Sequence, residues 1–294
     1  GITVGVSDGG HSGGGTLTDG TGRTKPEIVA PNAFTSYATP YVTGAAAMLI
    51  EAAGSDADAK DQLTLKAILL AAANKAPFAD WDQTSTRPID DIYGAGQLDV
   101  YEAYFIQDAG QQSAGSTLNE RGWNLASLGS NSSHNYGISV PDGFGLRNLS
   151  ALITWNREVS RTQQGGGPFA SIVYTPSVAD MSLELKVSGG STIYTSDSAV
   201  DNLEHIWRDK ANALGPGNYT LAVATDDAVE YAIAWRSELY QDYDLWKAAA
   251  FTTTPLADQD PDDDPDFDGI ANLLEQAFGG NPETHDREVL PTMQ

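Results

Sequence analysis

The most ordered chemistry in this sequence lies near its C-terminus. Asp264-Pro265-Asp266-Phe267-Asp268-Gly269-Ile270-Ala271-Asn272-Leu273-Leu274-Glu275 puts side-chain oxygens at positions 1, 3, 5, 9 and 12 of a twelve-residue loop. Gly269 stands at position 6, where the chain must turn sharply, and the Ile270 carbonyl falls at position 7. A hard cation takes about six to eight oxygens, and Glu275 can supply two of them. The expectation is a structural Ca2+ bound by Asp264, Asp266, Asp268, Ile270, Asn272 and Glu275, with an affinity of about 10⁻⁴–10⁻³ M. Such a site fills only where calcium is plentiful, outside the cytosol. The plainer reading of any acidic run is a solvated tail. The other polar feature is Thr35-Ser36 at the head of an apolar run. By itself a serine there reads as a helix N-cap.

These residues need elements to position them. Residues 37–53 read as a helix, with Val42, Ala45, Ala46 and Leu49 at helical spacing. Its many alanines suggest burial on most sides. Leu63 to Lys75 reads as a second helix and Leu98 to Phe105 as a third. Ile28-Val29-Ala30 is a short strand stopped by Pro31, and Ile2 to Val6 another. Asn272 to Phe278 reads as a helix leaving the acidic loop, closed by Gly279-Gly280. No good helix enters that loop, because Pro255 and Pro261 intervene.

Between about 109 and 245 the period becomes two. Leu149, Ala151, Ile153 and Trp155 alternate with other residues, as do Leu183, Leu185 and Val187. Tyr219, Leu221 and Val223 do the same, and so do Val229, Tyr231, Ile233 and Trp235. Strands with one apolar face, separated by Gly, Pro and Asn turns, predict an antiparallel β-sandwich. Trp155, Trp207 and Trp235 are its expected core. Three zones result: 1–108, an α/β portion with an incomplete parallel sheet; 109–245, the all-β sandwich; and 246–294, an acidic tail.

The 294 residues are 40% hydrophobic and 19% charged, which suits a globular chain. Sixteen Lys and Arg against 40 Asp and Glu leave a net charge of −24. That surface repels phosphate backbones and anionic lipid, so no nucleic-acid partner is expected. No apolar run reaches the ~18 residues of a membrane span. Without cysteine there is no disulfide or thiolate chemistry. The sequence opens at Gly1 directly into a strand, which reads as a processed chain or a fragment.

Gly22 to Ile50 carries a resemblance. Gly22-Arg23-Thr24-Lys25-Pro26-Glu27-Ile28-Val29-Ala30-Pro31, followed by Thr35-Ser36-Tyr37-Ala38-Thr39-Pro40-Tyr41-Val42-Thr43-Gly44, resembles the nucleophile region of subtilisin-like serine proteases. Leu65 to Ala73 looks like the helix that follows in that family. Tyr93-Gly94-Ala95-Gly96-Gln97-Leu98-Asp99-Val100 looks like the turn before its last helix. These segments stand in family order over about the first 108 residues. The resemblance implies that Ser36 is a catalytic serine acting on a polypeptide substrate. It departs from the pattern at Phe34, where glycine is usual, and at Tyr41, where a non-catalytic histidine is common. The family's Asp, His and oxyanion Asn precede the serine, and no such motif precedes Ser36 here. His11 lies in a glycine loop without the right neighbours.

Thr195 to Trp207 and Gly217 to Val223 look similar to the small pre-peptidase C-terminal-like sandwiches of bacterial secreted peptidases. The acidic loop resembles the dockerin or thrombospondin type-3 form. Together these imply the C-terminal part of an exported, extracellular or cell-surface serine endopeptidase, inactive as this chain alone. The alternative is a non-catalytic exported binding or adhesion module built on a degenerate protease remnant. Intact Asp and His motifs upstream would favour the enzyme.

Overall fold

The computed structural model describes residues 1–8, 22–164 and 171–286. His11 and its glycine loop lie outside them. The chain divides into two compact units. One holds residues 1–138, 148–208 and 218–237; the other holds 139–147, 209–217 and 238–294.

The first unit begins with two short parallel strands, β1 (Val4–Val6) and β2 (Ile28–Ala30), registered Val4 to Ile28 and Val6 to Ala30. On its other edge β2 is extended by residues 95–98. The Val29 amide donates to the Gly96 carbonyl at 3.0 Å, and the Leu98 amide to the Val29 carbonyl at 2.8 Å. Three helices accompany these strands: α1 (Thr35–Ala52), α2 (Gln62–Ala72) and α3 (Val100–Asp108). The Asp61 and Asp99 carboxylates cap α2 and α3 by accepting the Leu63 and Glu102 amides.

The buried element is α2, not α1. Every residue from Leu63 to Ala72 is buried, whereas α1 buries only Ala38, Val42, Ala45 and Leu49. Tyr37, Tyr41 and Met48 point into solvent. The alanine content misleads because alanine favours a helix wherever it lies and says little about how many sides are covered.

Ten further strands follow. One sheet runs β10 (Leu203–Arg208), β5 (Gly145–Trp155), β12 (Val229–Tyr240), β3 (Arg121–Leu128); the other runs β4 (Ser132–Val140), β11 (Gly217–Thr225), β8 (Met181–Val187), β9 (Thr192–Ser196). The pairs β10–β5, β12–β3, β11–β8 and β8–β9 are antiparallel. Within the first unit the two sheets meet as a sandwich. The Tyr136 hydroxyl on β4 lies 2.7 Å from that of Tyr231 on β12 and accepts from Asn124 on β3 at 3.0 Å. The remaining strands, β6 (Glu158–Gln164) and β7 (Ser171–Ser177), form a separate hairpin.

The first sheet is covered on both faces, which the period-two pattern does not predict. Leu149 to Trp155 and Tyr231 to Trp235 are buried without interruption. Leu152, Ala232 and Ala234 share one apolar cluster with Val42, Leu49 and the α2 leucines. Small residues on that face let the helices approach closely. Trp155 and Trp235 lie in the core as expected, but Trp207 does not: it is half-buried beneath cations. The Lys75 ammonium sits 4.5 Å from its ring centre and the Arg236 guanidinium 5.4 Å. The third large core tryptophan is Trp123, whose indole donates to the Gln107 carbonyl at 3.1 Å.

The second unit contains α4 (Tyr243–Ala250), a 3-10 turn at Leu256–Asp258 and α5 (Asn272–Phe278). Arg147 donates to Glu238 at 2.6 Å and stacks over Tyr240. Among the described residues, no helix is long and apolar enough to cross a membrane.

Candidate functional site

Ser36 occupies the second position of α1 and is exposed. It is not the cap. That position falls to Phe34, whose extended backbone (φ −138°, ψ 140°) enters the helix without a side-chain acceptor. The Phe34 carbonyl instead receives the Tyr37 and Ala38 amides, each at 3.0 Å. Pro40 falls beyond the first turn, at the sixth helical position. It has no N–H to return to the Ser36 carbonyl, so that helical bond is missing. The rings of Phe34 and Tyr37, residues near Ser36 in the chain, meet edge to face at 6.0 Å.

The described histidines are engaged elsewhere. His134 Nδ1 lies 2.8 Å from the Tyr231 hydroxyl, and His285 Nδ1 lies 3.5 Å from the Asp266 carbonyl. His205 Nε2 lies 3.0 Å from Ser150 Oγ. That is a nucleophile and a base by type, yet both residues are fully buried within a sheet and face no substrate. Burial, followed by the nearby Lys75 charge, keeps His205 well below the usual histidine range.

The acidic loop forms a compact site. Gly269 adopts φ 89° at position 6, and its amide donates to Asp264 Oδ2 at 2.9 Å. The Asp268 amide lies within reach of both Asp264 and Asp266 carboxylates, at 3.2 and 3.1 Å. The Ile270 amide donates to Asp268 Oδ1 at 2.8 Å. Carboxylate oxygens of Asp264, Asp266 and Asp268 all fall within 4.8 Å of one another, and so do those of Asp268, Glu275 and Asp286. The two groups share Asp268, and either is close enough to hold a metal ion.

Asn272 bonds sideways: its amide nitrogen donates to the Asp258 and Asp260 carbonyls at 3.3 and 2.9 Å. Its Oδ1 is buried with no partner, as are both Glu275 oxygens, Asp266 Oδ2 and Asp286 Oδ1. Burial, and then the surrounding carboxylates led by Asp266, pushes the Glu275 carboxyl up to about 7. Buried acceptors grouped in this way are a donor set that a cation would satisfy. Asp286 is the member the loop spacing does not reveal. Its only sequence signal is an acid shortly after the Gly279-Gly280 turn.

The polar residues of the sandwich loop are satisfied internally. Asp201 accepts from the Thr24 amide at 2.7 Å and from Ser198 at 2.9 Å. Glu204 accepts from Ser196 at 2.5 Å and the Ser198 amide at 2.8 Å. Trp123 and Trp246 are buried.

No protein-family model matches the chain, and no curated protein matches it. Among solved structures it is similar to PliG of Aeromonas hydrophila, a periplasmic inhibitor of g-type lysozyme, at 10% identity and a TM-score of 0.26. That match covers 44% of this chain and 99% of PliG. TmCBM61 in complex with β-1,4-galactotriose matches at 8% identity and 0.22, over 41% of this chain and 82% of its own. The insecticidal delta-endotoxin Cry8Ea1 of Bacillus thuringiensis matches at 12% and 0.20, over 40% and 20%. At such scores these likenesses carry no argument about function.

Proposed function

We propose that this chain is the nucleophile-bearing C-terminal portion of an exported subtilisin-like serine endopeptidase, with Ca2+ bound in its tail. The carrying observation is Ser36, exposed in the first turn of an eighteen-residue helix, in a segment that resembles the family's nucleophile motif. In this reading Ser36 Oγ attacks a peptide carbonyl and gives its proton to a histidine. The tetrahedral adduct collapses, the amine leaves with that proton, and an acyl-serine ester remains. Water, deprotonated by the same histidine, then releases the acid. The N–H groups and dipole of the α1 start favour the oxyanion. This reading requires a histidine, its orienting aspartate and a further oxyanion amide from sequence upstream of residue 1. The calcium arm rests on the buried acceptors of the tail, and an affinity in the weak range of about 10⁻⁴–10⁻³ M would suit use outside the cell.

The test is labelling of the full-length protein with a fluorophosphonate probe. Wild type should label at Ser36 and cleave a casein substrate; Ser36→Ala should lose both, a drop of about 10³-fold or more in kcat. Absence of labelling at Ser36 in the wild type rejects the protease. The competing reading, a binding module on a protease remnant, draws on the exposed rings of Tyr37, Tyr41, Tyr101 and Tyr104. It predicts a folded, unlabelled protein.

A further inference from the structure

The tail carries a feature that the twelve-residue loop does not account for. After α5, Gly279 turns into the left-handed region at φ 75°, and the Gly280 amide returns to the Glu275 carbonyl at 2.8 Å. The chain then doubles back. The Asn281 amide donates to Asp286 Oδ2 at 2.9 Å, and the Asp286 amide donates to Asp268 Oδ2 at 3.1 Å. Between them Glu283 grips a different segment, taking the Thr252, Thr253 and Thr254 amides at 3.0, 2.7 and 2.7 Å. Residues 281–286 are thus strung from the turn after α4 to the acidic loop.

Asp286 arrives with Oδ1 buried, unpartnered and close to Asp268 and Glu275. Glu275 is itself fully buried, with both oxygens unpartnered. Among the described residues, no lysine or arginine makes an ion pair with Asp264, Asp266, Asp268, Glu275 or Asp286. A Cβ on Gly280 would lie 3.2 Å from Glu275 Oε1, so the glycine leaves room for that carboxylate. A cation held among these carboxylates would offset the burial and mutual repulsion of the acids that the bend brings together.

We propose that Asp286 is a ligand of the tail cation, supplied from outside the loop, and that the ion closes residues 279–286 over it as a clasp. This rests on the calcium reading above and adds to it a ligand and a consequence. With Asp286 the two groups that meet at Asp268 draw on five carboxylates instead of the loop's four. Binding orders not only residues 264–275 but also the return segment, and through Glu283 the turn at Thr252–Thr254. Metal binding free energy is then partly folding free energy of this unit.

Calorimetric titration of the whole chain with CaCl2 separates the two claims. Wild type should bind, and Asp264→Ala with Asp268→Ala should abolish binding. Asp286→Ala should weaken Kd by about tenfold or more, with Asp286→Asn in between. Failure of the wild type to bind at 10 mM, roughly ten times the weakest expected Kd, overturns the calcium reading itself. Calcium binding by Asp286→Ala with the wild-type Kd overturns the clasp alone. Hydrogen exchange guards against misfolding of the variants. In wild type, calcium should slow exchange at the Asn281 and Asp286 amides; unchanged exchange there, with calcium bound, also sinks the clasp.

Discussion

Glu27 stands between two lysines in a nearly dry setting, 2.6 Å from Lys25 and 2.8 Å from Lys66. Burial alone would raise its pKa. Lys66 first, then Lys25, outweigh that and hold it down to about 2. The sign follows. A carboxyl lowered from its ordinary 4.5 stabilises the fold above that value and loses its contribution as pH falls toward 2. Melting temperature should therefore drop between pH 5 and pH 2 in the wild type. Glu27→Gln should be destabilised by about 3 kcal/mol at pH 7 and flatten that dependence, because two lysines are left buried without their acid. An acid-unfolding curve unchanged by Glu27→Gln would contradict this. Lys75 is the opposite case, buried with the Ala73 carbonyl and two tryptophan rings around its ammonium. Burial, and then Arg236, pulls it well below the usual lysine range. None of these environments shows in composition. Glu27 reads as one polar position just before a strand, and Asp286 as one more acid in an acidic tail.

At the scale of elements, the turn from Tyr93 to Gly96 docks on the edge of β2, its Ala95 amide donating to the Glu27 carbonyl at 2.9 Å. Asp90 accepts the Ile92 and Tyr93 amides, each at 2.8 Å, and the Tyr93 ring stacks on Phe78 at 4.0 Å. Gly94 adopts φ 60°, and a Cβ there would sit 2.5 Å from the Glu27 carbonyl carbon. Both the left-handed backbone and the backbone approach exclude a side chain. Gly94→Ala should cost about 2 kcal/mol or more, read as a fall in urea midpoint at unchanged slope. The same change at Gly54, also left-handed but with open space around it, should cost less. Elements of this kind are legible in the sequence. The strand Ile28–Ala30 and the helix Asn272–Phe278 lie where the pattern puts them, because each is bounded by proline or glycine at its ends. The faces of elements are less legible. Period two in β5 and β12 says that alternate residues are apolar, but Ala232 and Ala234 are small enough to be neutral on either face. A layer of helices covers them, and only the folded chain brings it there.

Across the molecule, the excess of 24 negative charges works against compactness. Like charges within about 10 Å repel at low ionic strength and are screened by salt. Raising NaCl from about 0.01 to 0.15 M should raise the melting temperature without calcium, and calcium should add a further rise that salt does not mimic. A melting temperature indifferent to salt would mean that local pairing already cancels the field. The order of residues by itself determines the antiparallel sandwich strands, the short parallel strands, the helix that carries Ser36 in its first turn and the regular spacing of acids in the acidic loop. Those depend on periods, caps and turns within some ten residues of one another. The folded chain alone decides that α2 rather than α1 is buried, that Trp123 replaces Trp207 in the core and that Asp286 joins Glu275. Each of these is set by what lies across from a residue. A chain's local pattern records which side chains avoid water, but not the distant partner that takes its place.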